Sequence, residues 1–338
     1  MKSLATTYRP IDFDEVKCQE SIIKILKRQL ELEQFSNVYL FCGPSGCGKT
    51  TVARIFASKV NKGRGNPIEI DAASNNGVDN IRTIIDSASG RSLDSEYKVY
   101  IIDECHMLTT QSWNALLKTI EEPPRYTIFI FCTTDPQKIP DTIKNRCMRF
   151  NFTRITYEDI KNRLMYICEK EGYVNYVEIC DYIAKTSNGQ LRDAVATLEK
   201  CASYSIDLSI EDSLRVINLI SYDILFKLIN SIIDGKEEEV LNIINNLYLS
   251  GTELQLFVDQ FLEFNLDLFK YCITGNISLT HFPVLYENDI QVATRFDGNT
   301  DYYTYVVNKL FELKNCLKND LTPKITIDIY MLRIVRCQ

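Results

Sequence analysis

The chain has 338 residues, of which 45% are apolar and 25% charged, a globular composition with length for two or three domains. No stretch approaches the roughly 18 uncharged apolar residues of a membrane span, and residues 1–10 lack the apolar core of a secretion signal, so no membrane partner is expected. The net charge of −7 argues against indiscriminate binding of nucleic acid by the whole chain.

Tyr8-Arg9-Pro10 opens the ordered part, and residues 20–33 read as an amphipathic helix with Ile22, Ile23, Leu26 and Leu30 on one side. Strand patterns follow at 38–42, 68–70, 99–102, 127–132 and 148–152. Helical patterns separate them at about 50–60, 78–88, 111–121 and 139–145. Near-continuous apolar strands alternating with helices predict a five-stranded parallel sheet covered on both faces. From Tyr157 the strand signal fades. Helices are expected at 157–171, 176–187 and 190–204, the last two separated by Ser187-Asn188-Gly189, and then at about 211–219, 221–234, 237–249, 252–274, 301–317 and 323–336. Residues 275–300, with Gly275, Pro283, Asn288, Gly298 and Asn299, are assigned no element.

The chemistry begins at the first strand. Val38 to Cys42 runs into Gly43-Pro44-Ser45-Gly46-Cys47-Gly48-Lys49-Thr50, and Thr51-Val52-Ala53-Arg54-Ile55-Phe56-Ala57 continues with helical spacing. This is the P-loop pattern in the strand–turn–helix context it requires. Glycines let the backbone aim several N–H groups at one phosphate chain, and the helix N-terminus adds positive potential. Lys49 supplies a mobile charge for the β- and γ-phosphates, and Thr50 a hydroxyl for Mg²⁺. The third strand ends in Ile101-Ile102-Asp103-Glu104-Cys105-His106, the Walker B arrangement. There Asp103 would help hold Mg²⁺ and Glu104 would polarise the attacking water. His106 is read as a structural imidazole and Trp113, the single tryptophan, as packing.

The twelve cysteines contain no C-x-x-C pair, and several sit inside apolar patterns. They are read as reduced thiols acting as small hydrophobes in a cytoplasm, without a disulfide framework or zinc ligands. Residues 1–152 carry 20 Lys/Arg against 18 Asp/Glu, and the remainder 18 against 27. Any DNA contact is therefore expected in the N-terminal part, and protein contacts in the acidic C-terminal part.

Tyr8-Arg9-Pro10, the P-loop, Glu69-Ile70-Asp71-Ala72-Ala73-Ser74-Asn75-Asn76-Gly77-Val78-Asp79, Asp103-Glu104, the run from Asn114 to Pro124, and Arg146-Cys147 occur in one order. Together they resemble the ATPase subunits of sliding-clamp loaders, the bacterial DNA polymerase III gamma/tau subunits and, more distantly, the small subunits of replication factor C. The resemblance is dense over 8–152 and moderate to about 220. It implies an α/β AAA+ P-loop domain (1–153), an all-α lid (154–220) and an all-α helical collar (221–338). It further implies that Tyr8, Arg9 and Pro10 line the adenine side of an ATP site completed by Gly43 to Thr51. Thr134 corresponds to the sensor 1 residue near the γ-phosphate, and Arg192 to the sensor 2 arginine of the lid. Arg146 matches the arginine finger that reaches a neighbouring subunit's ATP, with Asn145 in place of the family's serine.

A second departure is the short loop Lys59 to Pro67, where bacterial gamma/tau subunits insert a cysteine-rich zinc module; the long C-terminal extension of tau is likewise missing from the sequence. The implied partners are sibling loader subunits in a pentamer, the sliding clamp, and primer–template DNA held through its backbone. Arg82 is the first candidate for DNA contact, with Arg91 and Lys118 behind it. Two alternatives stay open: an AAA+ ATPase of branch migration or recombination, and a non-hydrolysing structural subunit of the loader.

Overall fold

The apolar runs form five strands and the segments between and after them form helices. The computed structural model describes residues 3–92, 94–217, 220–282, 286–295 and 298–336. In chain order the first part comprises α1 (Leu4–Thr7), α2 (Glu20–Leu32), β1 (Val38–Cys42), α3 (Lys49–Val60), β2 (Ile68–Asp71), α4 (Val78–Ala88), β3 (Lys98–Asp103), α5 (Thr110–Glu121), β4 (Thr127–Thr133), α6 (Asp141–Lys144) and β5 (Met148–Asn151). Every pairing is parallel and the sheet order is β2-β3-β4-β1-β5. The strand carrying the P-loop therefore lies inside the sheet, in register Val38↔Phe129 with β4 and Tyr39↔Met148 with β5.

Side chains alternate across the sheet, so each strand serves two cores. Tyr39, Phe41, Ile101, Ile130 and Cys132 face Leu26 of α2 and Val52 and Phe56 of α3. Leu40, Cys42, Ile102, Phe129 and Phe131 face Ile81 and Ile84 of α4 and Trp113 and Leu116 of α5. Trp113 packs on Phe131, ring centroids 5.4 Å apart, as its reading from sequence expected. Truncating a fully buried member such as Leu26 to alanine is worth about 2–5 kcal/mol of stability.

The helices that follow are α7 (Tyr157–Glu171), α8 (Val177–Thr186), α9 (Leu191–Tyr204), α10 (Ile210–Val216), α11 (Tyr222–Ile233), α12 (Glu237–Leu249), α13 (Leu254–Thr274), α14 (Glu287–Thr294), α15 (Asn299–Cys316) and α16 (Pro323–Arg336). α14 falls within the stretch that the sequence assigned no element, and Pro283 lies outside the described residues. The chain divides into two units, Met1–Ile167 with Ser187–Ala196, and Cys168–Thr186 with Thr197–Gln338. The second is helical, built around α13. Its Phe257, Phe261, Phe264 and Leu268 recur at helical spacing and are buried, and Phe226 of α11 meets Phe264 at 4.9 Å. Among the described residues no helix is long and apolar enough to cross a membrane.

The eleven described cysteines are free, and burial decides their chemistry. It pushes Cys105 and Cys132 well above an ordinary thiol and Cys147 up to about 12. A thiol whose pKa rises on folding stabilises the fold fully below its unfolded pKa of 9.0 and loses that contribution as pH climbs through the folded value. Stability should therefore fall between about pH 9 and 12. Urea midpoints across that range should decline less steeply in Cys147→Ala; an unchanged slope would show that Cys147 titrates freely in the native state.

Candidate active site

A parallel sheet leaves its ligand crevice at the carboxyl ends of the strands. There β1, β3 and β4 deliver, respectively, the P-loop, Asp103-Glu104 and Thr133-Thr134. The loop's shape depends on glycine at two points. A Cβ on Gly43 would stand 2.7 Å from the carbonyl oxygen of Phe152 and 2.8 Å from its Cβ. Gly46 has φ +68° and lies against Gln190, so it meets both a conformational and a steric restriction. α3 begins at Lys49 with Gly48 as its N-cap and no capping side chain, which leaves its first N–H groups available to an anion. Lys49 is 6% exposed, and its ammonium donates to the carbonyls of Gly43 (2.9 Å) and Pro44 (2.8 Å).

Beside the loop, Thr50 Oγ1 donates to Asp103 Oδ2 at 2.7 Å. A hydroxyl and a carboxylate in that relation are hard oxygen donors of the kind Mg²⁺ takes. Glu104 adopts a left-handed conformation (φ 46°, ψ 42°), a strained geometry for a non-glycine residue, and its N–H donates to Asp103 Oδ1 at 3.0 Å. Thr134 Oγ1 donates to Glu104 Oε2 at 2.9 Å. His106 Nδ1 lies 3.3 Å from that same oxygen and 3.3 Å from Thr133 Oγ1. His106 thus touches the carboxylate expected to act on water, a contact its reading as a structural imidazole did not anticipate.

One cleft gathers Tyr8, Arg9, Pro10, Ser45 to Thr51, Asp103, Glu104 and Arg192. Gly43 and Pro44, the first residues of the loop, and Thr134 do not line this cleft; the carbonyls of the first two hold Lys49, and Thr134 donates to Glu104. Burial raises the Cys47 thiol, so it packs as an apolar side chain. Leu4, Ala5, Val16, Ile155, Leu191 and Val195 add an apolar wall that the motifs did not reveal. Leu191 and Val195 flank Arg192 on α9 at helical spacing, which a face analysis of that helix would have found. Arg163 of α7 was also missed. It donates to the Tyr8 carbonyl at 2.6 Å and lies 5.2 Å from the ring of Tyr166, against which Tyr8 packs edge-on.

Arg146 stands apart from this cleft. Its side chain is 40% exposed, and the guanidinium donates to the Thr142 carbonyl at 2.6 Å and pairs with Glu121 at 2.7 Å. Asn145, which stands where the resemblance expects serine, caps α6 with helical backbone angles. Arg82 is exposed on α4 with Asp79 at 3.4 Å, and Arg91 lies over the Tyr126 ring at 4.6 Å.

A family model described as DNA polymerase III, delta subunit, matches residues 66–156. The Bacillus subtilis DNA polymerase III subunit tau is 40% identical over 292 residues, covering 80% of this chain and 52% of that protein. The Mycoplasma genitalium subunit gamma/tau is 32% identical over 338 residues, 93% of this chain and 56% of that one, and the Escherichia coli subunit tau is 32% identical over 281 residues, 77% and 44%. The chain spans about half the length of these curated relatives. Among solved structures, the Thermotoga maritima RuvB Holliday junction branch migration motor superposes with a TM-score of 0.53 at 20% identity, over 67% of this chain and 79% of that one. That likeness concerns the fold.

Proposed function

We propose that this chain, a homologue of the DNA polymerase III gamma/tau subunits within the AAA+ clamp-loader family, serves as the ATPase subunit of a sliding-clamp loader. The observation that carries the enzymatic part is the hydrogen-bonded line Thr50–Asp103–Glu104–Thr134 along one wall of the nucleotide cleft. A structural subunit would not need a carboxylate held at that point by a threonine hydroxyl.

In this reading the apolar wall and Tyr8-Arg9-Pro10 take the adenine, and the loop N–H groups and Lys49 take the phosphates. Thr50 and Asp103 would hold Mg²⁺, which neutralises phosphate charge when bound. Glu104 orients a water for in-line attack and accepts its proton, while Thr134 fixes the carboxylate's direction. Arg192 reaches the same phosphates from α9, and Arg146 of a neighbouring subunit completes the site from outside. ATP would favour an assembly that binds and opens the clamp, and primer–template DNA, held through phosphates by residues such as Arg82, would trigger hydrolysis. The functional segments remain 1–153, 154–220 and 221–338. We place the protein in the cytoplasm, in a pentamer with sibling subunits.

Pull-down from native extract with tagged protein, with and without a poorly hydrolysed ATP analogue, tests this. A ring-shaped clamp enriched by the analogue, together with sibling subunits, is expected. Recovery of recombination proteins and no clamp under either condition would move the protein to another DNA process. The fit of Gly43 gives a second expectation. Gly43→Ala forces a clash with backbone, and overpacking of about 1–3 kcal/mol should weaken ATP binding roughly 5- to 150-fold in a fluorescence titration.

A further inference from the structure

Gln19 sits at the start of α2 as its N-cap, yet its side chain makes no capping bond. Asparagine, aspartate or serine there would normally accept from the helix's own N–H groups. The amide instead turns inward and is 3% exposed. Its Nε2 donates to the carbonyls of Cys47 (3.4 Å) and Thr153 (2.9 Å), and its Oε1 accepts from the N–H of Thr153 (3.3 Å). A single buried amide thus joins the P-loop to the residue two beyond β5 and four before α7.

The residue before it is built to turn it inward. Cys18 holds φ +63°, a left-handed conformation that an L-residue adopts at a cost of about 1–3 kcal/mol. Its Sγ donates to Asp159 Oδ2 (2.9 Å) and accepts from the N–H of Thr156 (3.2 Å), at the head of α7. Asp159 is in turn bonded by Thr156 Oγ1 at 2.7 Å. Two adjacent residues therefore grip both sides of the connection 152–156.

We infer that Gln19 is a positioning residue that couples phosphate engagement by the P-loop to the connection leading into α7. The inference rests on the nucleotide reading of the cleft. The link is one peptide group. The Cys47 carbonyl and the Gly48 N–H belong to the same amide, so a phosphate accepting from Gly48 polarises the carbonyl and strengthens the bond from Gln19. Stronger donation from Nε2 makes Oε1 of the same amide a better acceptor for the Thr153 N–H, so the pull passes to the connection ahead of α7. Reciprocity follows: holding Thr153 pre-orients the peptide that meets the phosphate.

Hydrogen exchange of the 338-residue chain, with and without a poorly hydrolysed ATP analogue and Mg²⁺, tests the coupling. In the wild type the analogue should slow exchange of amides 152–160. Gln19→Met keeps length and apolar volume without hydrogen bonds. It should abolish that nucleotide-dependent slowing and weaken analogue binding by about 5-fold or more, the lower end of typical coupling factors. A purely structural role would raise exchange equally with and without nucleotide. Gln19→Asn keeps a neutral amide in the pocket on a side chain one methylene too short to reach both carbonyls, so it should fold where Gln19→Met does not and should still lose the slowing. Full slowing in either folded variant overturns the coupling alone. A wild-type chain that binds no analogue overturns the nucleotide reading and the coupling with it.

Discussion

Replacing Glu104 with glutamine is expected to leave ATP bound and to stop its hydrolysis. The amide keeps the size of the carboxylate and can still accept from Thr134 Oγ1, so the wall of the cleft should stay in place. What it loses is the capacity to take a proton from water. General-base assistance contributes about 10²–10⁴ in rate, and single-turnover hydrolysis should fall within that range. The affinity for ATP should change little, because Lys49, the loop N–H groups and the Thr50–Asp103 pair are untouched. Hydrolysis within about threefold of wild type would remove Glu104 from the reaction. The strained backbone at this residue gives the expectation its structural edge. A left-handed conformation is retained here although it costs about 1–3 kcal/mol, and its effect is to bring the carboxylate within reach of Thr134 and His106.

Arg146→Ala should show the opposite division of labour. The guanidinium does not line its own subunit's cleft, so an isolated variant should bind ATP like the wild type. In the proposed loader assembly, DNA-stimulated hydrolysis should drop by roughly 10³ or more, the scale of trans-acting arginine fingers. Arg146→Lys should not restore it, since a single ammonium lacks the fork that grips two phosphate oxygens. Normal stimulated turnover in the alanine variant would refute the assignment. The hold on Arg146 is light: one α6 carbonyl and a half-exposed glutamate at the end of α5. Surface pairs of this kind contribute about 0–1 kcal/mol, so the arginine can leave Glu121 for a phosphate at small cost.

The sequence was most informative where the rule is local. The strand–loop–helix at 38–60, the helix at 78–88 and that at 157–171 follow from runs of one period, and the structure reproduces them to within a residue or so. The residues of the line Thr50–Asp103–Glu104–Thr134 could be singled out because each sits inside a motif, Thr50 at the head of α3 and the others at the ends of β3 and β4. The apolar wall of the cleft and the long-range contacts behind it were not. Arg163 meets Tyr8 across 155 positions, and Gln19 meets Thr153 across 134; no periodicity links residues so far apart. α14 was hidden for another reason. Eight residues bounded by glycine, proline and asparagine offer too few turns for a helical pattern to stand out.

The sheet order also fixes when the site can come into being. β1 carries the phosphate loop, yet both its neighbours, β4 and β5, are made about a hundred residues later, and the residue that Gln19 holds comes later still. At synthesis rates of about 5–20 residues per second, the P-loop strand waits on the order of ten seconds for the strands that flank it. Pairing across such separations is slow to nucleate and leaves apolar surface uncovered in the interval. The nascent chain therefore has an exposed Val38–Cys42 segment well before it has a nucleotide cleft, and ATP can assist only the last stage of its folding.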